Sequence, residues 1–289
     1  MIYTGLAHFL DQGKAALAKG PVALIFAEDA VEVETTIRHH QLAGFREIVL
    51  FGAPTLALPA DLGVQVHHIA YRCSEDAAVE TAVNAVIDAA PDIWLFYCYN
   101  AEYLFFPFCE TRNVRELIAF HAEERRDAVL CYVIDLYAAD LTKYPDAVNL
   151  EDAHLDRSGY YALARKDEAN NWQPKERQLD FFGGLRWRFE ELVPPQRRKI
   201  DRISLFRSAK GLRLRADNTF NVEEYNTYAC PWHNNITLNL CSFRAAKALR
   251  LNPGSRFGIS TYAWHNTVGF NWTSQQLLDL GLMEPGQWF

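Results

Sequence analysis

A chain of 289 residues, 49% hydrophobic and 13% aromatic, has the apolar mass for one large domain or two smaller ones and too little polar bias for extensive disorder. Its formal charge of −7 at pH 7 excludes a general affinity for nucleic acid, which relies on surplus Lys and Arg meeting phosphates. The opening MIYTGLAHFLDQGKAALAKG has no basic leader before an apolar core, and no stretch approaches the roughly 18 apolar residues of a spanning helix, so the expected location is the cytoplasm, with six singly spaced cysteines kept reduced.

Val22–Ala27 is short and continuously apolar after a Gly20-Pro21 turn, which predicts a buried strand. A helix is expected from Asp29 to Ala43, where Val33, Thr36, Ile37, His40 and Ala43 recur at three- and four-residue steps, with Asp29 as cap and Gly44 as stop. Glu47–Gly52 predicts a second strand, and Val64–Ala70 a third beyond a loop with Pro54 and Pro59. From Ser74, the cap, to about Ala90, one side of a helix carries Ala77, Ala78, Thr81, Ala82, Ala85, Val86 and Ala89. The fourth strand, entered at Asp92, is apolar enough for full burial and stops at Asn100 and Glu102. A helix near Val114–Arg126 and a fifth strand, Ala128–Ile134, ending in Asp135, complete the alternation. Such alternation indicates an α/β fold with a mostly parallel central sheet flanked by helices.

The second half is less regular. Residues 145–195 hold loop signals at Pro145, Gly159, Asn170-Asn171, Pro174, Gly183-Gly184 and Pro194-Pro195. A soft boundary at Pro194-Pro195 divides a core of residues 1–195 from an aromatic-rich extension, 196–289, although one continuous domain fits equally.

Several familiar motifs are missing. Ala27-Glu-Asp-Ala30 follows the first strand where a dinucleotide enzyme has G-x-G-x-x-G, and neither a Walker G-x-x-x-x-G-K-[ST] nor a G-x-S-x-G elbow occurs. Adjacent histidines, His39-His40 and His67-His68, point in different directions on a helix or strand, so they form no zinc-binding face and read as half-exposed and structural. In open α/β sheets ligands bind at the carboxyl edge, which draws attention to Asn100 and Glu102.

Four stretches carry a family likeness in their shared order. They are Glu28-Asp29 ahead of a helix ending His39-His40-Gln-Leu-Ala-Gly44; Tyr99-Asn-Ala-Glu-Tyr-Leu104; Phe182-Gly-Gly-Leu-Arg-Trp-Arg-Phe189; and Lys199-Ile-Asp-Arg-Ile-Ser-Leu-Phe-Arg207. Together they resemble the GT-A glycosyltransferases, in particular small bacterial members of glycosyltransferase family 2. That family has an acidic turn before a His-His-x-x-x-Gly helix end, an Asp-Ala-Asp-Glu-Phe-like motif, a Gly-Gly-x-Arg segment and a Lys-plus-apolar strand. The resemblance implies a GT-A-like fold and transfer of a sugar from a nucleotide-sugar donor to a carbohydrate or glycoconjugate acceptor hydroxyl, with inversion, in surface polysaccharide or glycoconjugate synthesis. It also implies Mg²⁺ or Mn²⁺ held against the donor diphosphate by Glu102 and Asn100. An amide in place of a carboxylate weakens that grip on a hard cation. The alternative is a diphosphate neutralised by Arg186, Arg188, Lys199 and Arg202.

Within that implied chemistry, Asp135 is the preferred base for deprotonating an acceptor hydroxyl, ahead of Asp140, with Glu151 and Asp152 as further candidates. The plain alternative for Asp135 is a helix N-cap. Glu28 and Asp29 are placed to hydrogen-bond a nucleobase or ribose, and Asp29 equally to cap the helix. Two Trp-His-Asn clusters, at Trp232-His233 and Trp264-His265, suit an acceptor sugar, whose C–H faces stack on Trp, or else simply an aromatic core. Arg197–Arg215 alternates basic and apolar residues, giving one positive face for an anionic acceptor, for a peripheral membrane contact or for solvent alone. The aromatic end, Gly-Gln-Trp-Phe289, is expected to dock on its own domain or on a neighbouring copy in a homo-oligomer. A second reading keeps the fold without catalysis: a glycosyltransferase-like binding or scaffold protein that has lost the metal site.

Overall fold

The computed structural model describes residues 1–288. The chain opens with β1 (Ile2–Tyr3) and α1 (Leu6–Gln12), neither of which the sequence pattern singles out. β2 (Val22–Phe26) is buried at every position, as a continuous apolar run requires of a strand covered on both faces. α2 (Val33–Leu42) begins later than Asp29, because Asp29 Oδ1 accepts the Val31 N–H at 2.9 Å in an Asx turn and Glu32 takes a left-handed φ of 53°. Gly44, with φ 96°, stands just past its end, as expected. β3 (Glu47–Gly52) has the expected bounds, and β4 (Val66–Ala70) starts two residues inside the expected run.

α3 (Ala78–Ala89) is shorter than expected: its N-cap is Ala77, at φ 55°, not Ser74. The fourth apolar run divides into β5 (Trp94–Tyr99) and β6 (Glu102–Phe105), so Glu102 opens a strand rather than lying in a loop. α4 (Val114–Glu123) is fixed by a capping box between Asn113 and Glu116, and β7 (Ala128–Asp135) includes the terminal aspartate.

Beyond Asp135 the structure is more regular than the loop signals suggest. β8 (Tyr137–Ala138) and β9 (Ala153–Asp156) precede β10 (Tyr161–Asp167) and β11 (Gln173–Phe182), which pair as an antiparallel hairpin. Its exposed residues give no apolar alternation to read, and Asn170-Asn171 marks its tip, where Asn171 has φ 51°. Arg165 secures the hairpin by donating to Asp180 at 2.7 Å and Asp201 at 2.6 Å. After α5 (Gly184–Arg188) comes β12 (Asp201–Arg207), buried from Asp201 through Phe206. The positive face expected over Arg197–Arg215 is therefore not formed along this strand, and Arg202 is buried. β13 (Thr237–Ser242), α6 (Arg244–Leu251), β14 (Thr267–Gly269) and α7 (Ser274–Asp279) complete the elements, the last capped by Thr273.

The chain forms two compact units. The first comprises Met1–Leu104, Cys109–Val129 and Ile203–Asn226; the second comprises Phe105–Phe108, Leu130–Arg202 and the chain from Thr227. In the first, a mixed, mostly parallel sheet runs β1-β4-β3-β2-β5-β12, with only β12 antiparallel to its neighbour. Its core joins Leu24, Phe26, Val49 and Phe51 of the strands with Ala82, Val83 and Val86 of α3, and Phe26 stacks on Phe51 with centroids 4.7 Å apart. From β2 the chain winds outward to β3 and β4, then crosses back to lay β5 on the other flank of β2. The strand order therefore reverses between β2 and β5, where open α/β sheets place their ligands.

In the second unit β7 and β13 pair in parallel, with Asp135 opposite Ser242, beside the β10–β11 hairpin and a small β14-β9-β8 sheet. Its core includes Tyr137, Leu141, Leu185, Leu249 and Tyr262. Trp288 of the aromatic terminus is buried near Phe106 and Phe108; Phe289 lies outside the described residues. His40, His67 and His68 are buried rather than half-exposed. Among the described residues no helix is long and apolar enough to cross a membrane.

Candidate active site

In the first unit, the switch point gathers Glu28, Asp29 and Asn100, as their places at the ends of two strands implied. Phe26 pairs with Tyr99, the last residues of β2 and β5, so the two chains leave the sheet side by side. Asn100 bridges them: its Oδ1 accepts the Glu28 N–H at 2.9 Å, while Nδ2 donates to Asp29 Oδ1 at 2.7 Å and to the Val31 carbonyl at 2.8 Å. An amide suits this position because it accepts from the turn after β2 with its oxygen and donates to the same turn with its nitrogen, which a carboxylate could not do. The Glu28 side chain is exposed at the rim. Nearby, burial and the Glu28 charge push the Cys73 thiol up to about 12, which leaves it a poor nucleophile.

The donor set here does not fit the cation that the family likeness implies. Asn100 Oδ1 already accepts a backbone N–H, and Glu102 is 1% exposed with Oε2 folded back onto the Tyr99 N–H at 2.9 Å. Among the described residues no three His, Cys, Asp or Glu side chains are grouped to hold a metal ion. One amide, tied to the turn after β2, and one carboxylate, folded onto its own turn, offer a hard divalent ion too few outward oxygens.

The second unit holds a buried carboxylate at the end of a strand. Asp135 ends a parallel strand, is 1% exposed, and lies beside the Gly183-Gly184 turn. Its Oδ2 accepts the Arg186 N–H at 3.3 Å, and the Arg186 guanidinium stands off Oδ1 at 3.5 Å. Burial outweighs that positive charge and pushes the carboxyl up to about 6. Asp135 is thus a carboxylate near pH 7 that still takes a proton readily. It does not cap a helix of its own, since Tyr137 enters a strand.

Gly184 fits no other residue without cost. A Cβ there would lie 2.9 Å from Asp135 Oδ2, and its φ of +61° is left-handed. Gly184→Ala is expected to cost about 1–2 kcal/mol from the backbone alone, with the displaced carboxylate adding to it. A urea denaturation curve for the variant measures the loss.

A second buried carboxylate, Asp156, organises the groups that the sequence marked as cationic and aromatic candidates. It accepts from Tyr137 Oη at 2.6 Å, Trp264 Nε1 at 2.7 Å and Arg188 Nη1 at 3.1 Å. Arg188 also donates to the Tyr262 carbonyl at 2.8 Å, and its guanidinium lies 4.4 Å from the Trp264 ring centroid. One face of Trp264 is therefore occupied by a cation, and the Arg188 charge is spent inside the protein.

Arg186 also reaches away from Asp135, and the remaining candidates take other partners or lie exposed. Arg186 Nη1 donates to the Lys199 carbonyl at 3.1 Å, while the Lys199 ammonium pairs with Asp180 at 3.1 Å. Asp152 accepts the Ala139 N–H at 3.1 Å and Asp140 caps the turn at Thr142, so both shape loops; Glu151 is exposed in a turn. Trp232 meets Phe181 edge-on at 6.0 Å, and His233 and His265 are exposed. Asp156 and Tyr160 escape sequence reasoning: in Asp156-Arg-Ser-Gly-Tyr-Tyr161 nothing distinguishes them from loop residues, because their partners are distant in the chain. No family model matches the chain, and no curated protein matches it.

Proposed function

We propose that the protein is a GT-A-like glycosyltransferase, moving a sugar from a nucleotide-sugar donor to an acceptor hydroxyl with inversion, in surface polysaccharide or glycoconjugate synthesis. The observation that carries this reading is Asp135, a buried carboxylate at the carboxyl end of a parallel strand, raised to about 6 by desolvation. A base tuned close to the working pH is what deprotonation of an alcohol requires. Asp135 takes the acceptor's hydroxyl proton as the oxygen attacks the anomeric carbon. The carbon–oxygen bond to the diphosphate breaks on the opposite face, its electron pair leaves with the nucleoside diphosphate, and Asp135 returns its proton to solvent. The switch point between β2 and β5, with exposed Glu28 at its rim, supports a nucleotide site in the first unit.

The binding half of the proposal is tested by thermal shift with UDP, GDP and CDP, each with and without Mn²⁺. One nucleotide is expected to raise the melting temperature saturably, corresponding to about 2.7 kcal/mol at a hundredfold excess over Kd, and Glu28→Ala to weaken that response. No shift with any of the three contradicts it. A second reading, a binding or scaffold protein without catalysis, is favoured by the engagement of Asn100 with the Glu28–Val31 turn and of Glu102 with its own turn. Nucleotide binding with no turnover supports that reading.

A further inference from the structure

Two polar atoms near the Gly183-Gly184 turn are withdrawn from solvent with no hydrogen-bond partner: the Tyr160 hydroxyl, and Asp135 Oδ1, which has only the ion pair with the Arg186 guanidinium at 3.5 Å. Buried polar atoms are almost always bonded, and an exception calls for an explanation. The same dipeptide packs against both side chains. A Cβ on Gly183 would fall 2.3 Å from Tyr160 Cδ1, and one on Gly184 would fall 2.9 Å from Asp135 Oδ2, so the phenol ring and the carboxylate rest against consecutive residues.

The electrostatics define what such a pair can take. Burial, then the charges of Asp156 and Asp135, push the Tyr160 phenol well above its ordinary value, so it remains a neutral donor. Asp135 Oδ1 is an acceptor. An alcohol both accepts and donates one hydrogen bond and so complements them. An anion does not: two carboxylates lie close by, and the guanidinium groups beside them, Arg186 and Arg188, are committed to Asp135 and Asp156.

We infer that Asp135 Oδ1 and the Tyr160 hydroxyl form a subsite for a hydroxyl of a neutral sugar or polyol. It rests on the transferase reading only in naming that ligand the acceptor. Tyr160 is then a binding residue, and the bare phenol is tolerated because the ligand completes it.

The test compares the full chain with Tyr160→Phe. Binding of D-glucose, D-galactose, D-mannose and myo-inositol is followed by saturation-transfer NMR, with unliganded melting temperatures recorded alongside. At least one of the four is expected to bind the parent saturably and the variant at least tenfold more weakly, while the unliganded variant melts no lower than the parent. Equal affinities, no saturable binding by the parent, or a variant melting several degrees lower, which would mean the hydroxyl is already bonded, each overturns the inference. Sugar binding lost in Tyr160→Phe without any nucleotide response would leave the subsite standing and remove the transferase. A nucleotide response with Tyr160-independent sugar binding would do the reverse.

Discussion

Asp135→Asn is expected to lower the rate of sugar transfer by roughly 10²–10⁴-fold, the usual contribution of a positioned general base, with little change in nucleotide affinity. The pH dependence follows from the same group. Its carboxyl is pushed up to about 6, so the proposed transfer by the parent protein should fall as pH drops through that value and level off above it. Stability runs the other way. The folded state holds this proton up to about 6, against an ordinary 3.8, so across that window the native protein binds more protons than the unfolded chain. The group's contribution is fully present below pH 3.8 and is lost as pH rises through about 6, on the order of 3 kcal/mol at 1.36 kcal/mol per pKa unit. Urea denaturation from pH 4 to 7 should show Asp135→Asn gaining on the parent as pH rises. Parallel curves would mean that Asp135 is not perturbed.

The largest structural loss is expected from Asp156→Ala. The carboxylate is 1% exposed and accepts from Tyr137, Trp264 and Arg188 together. Its removal leaves a buried guanidinium without its counter-charge and the Trp264 indole N–H without an acceptor, while the Tyr137 hydroxyl keeps Thr267 Oγ1 at 2.8 Å. Breaking a buried pair from one side costs roughly 3–5 kcal/mol, a large share of the stability of any domain. Asp156→Asn keeps the shape and one acceptor oxygen and should recover part of the loss. A loss under about 1 kcal/mol in Asp156→Ala, read from the urea midpoint and slope, would show that the network around Arg188 is held by other contacts.

Local pattern carried much of the first unit. Glu47–Gly52 was legible to the residue because its apolar run ends at turn chemistry on both sides, and Asp135 was legible as a carboxylate closing a strand. The departures have physical causes. Asp29 reads as a helix cap, but it bonds the Val31 N–H, two residues before the helix begins, and Asn100 at the end of the neighbouring strand, a partner no local pattern supplies. Glu102 resembles a metal ligand by position, yet its own turn captures the carboxylate. The β10–β11 hairpin lacks apolar alternation because most of its residues are exposed or half-exposed, and it is anchored instead by Arg165. Asp156 and Tyr160 acquire meaning only through burial beside residues far away in sequence, which composition and spacing do not encode.

The central claim is that this chain transfers a sugar with Asp135 as base. It is tested most directly by following nucleoside diphosphate release from UDP-, GDP- and CDP-sugars, in the presence of simple sugars as acceptors and with and without Mn²⁺, for the parent and Asp135→Asn. Release from one donor by the parent, reduced at least a hundredfold in the variant, is the result expected. No release from any donor, or equal release by both proteins, would contradict it.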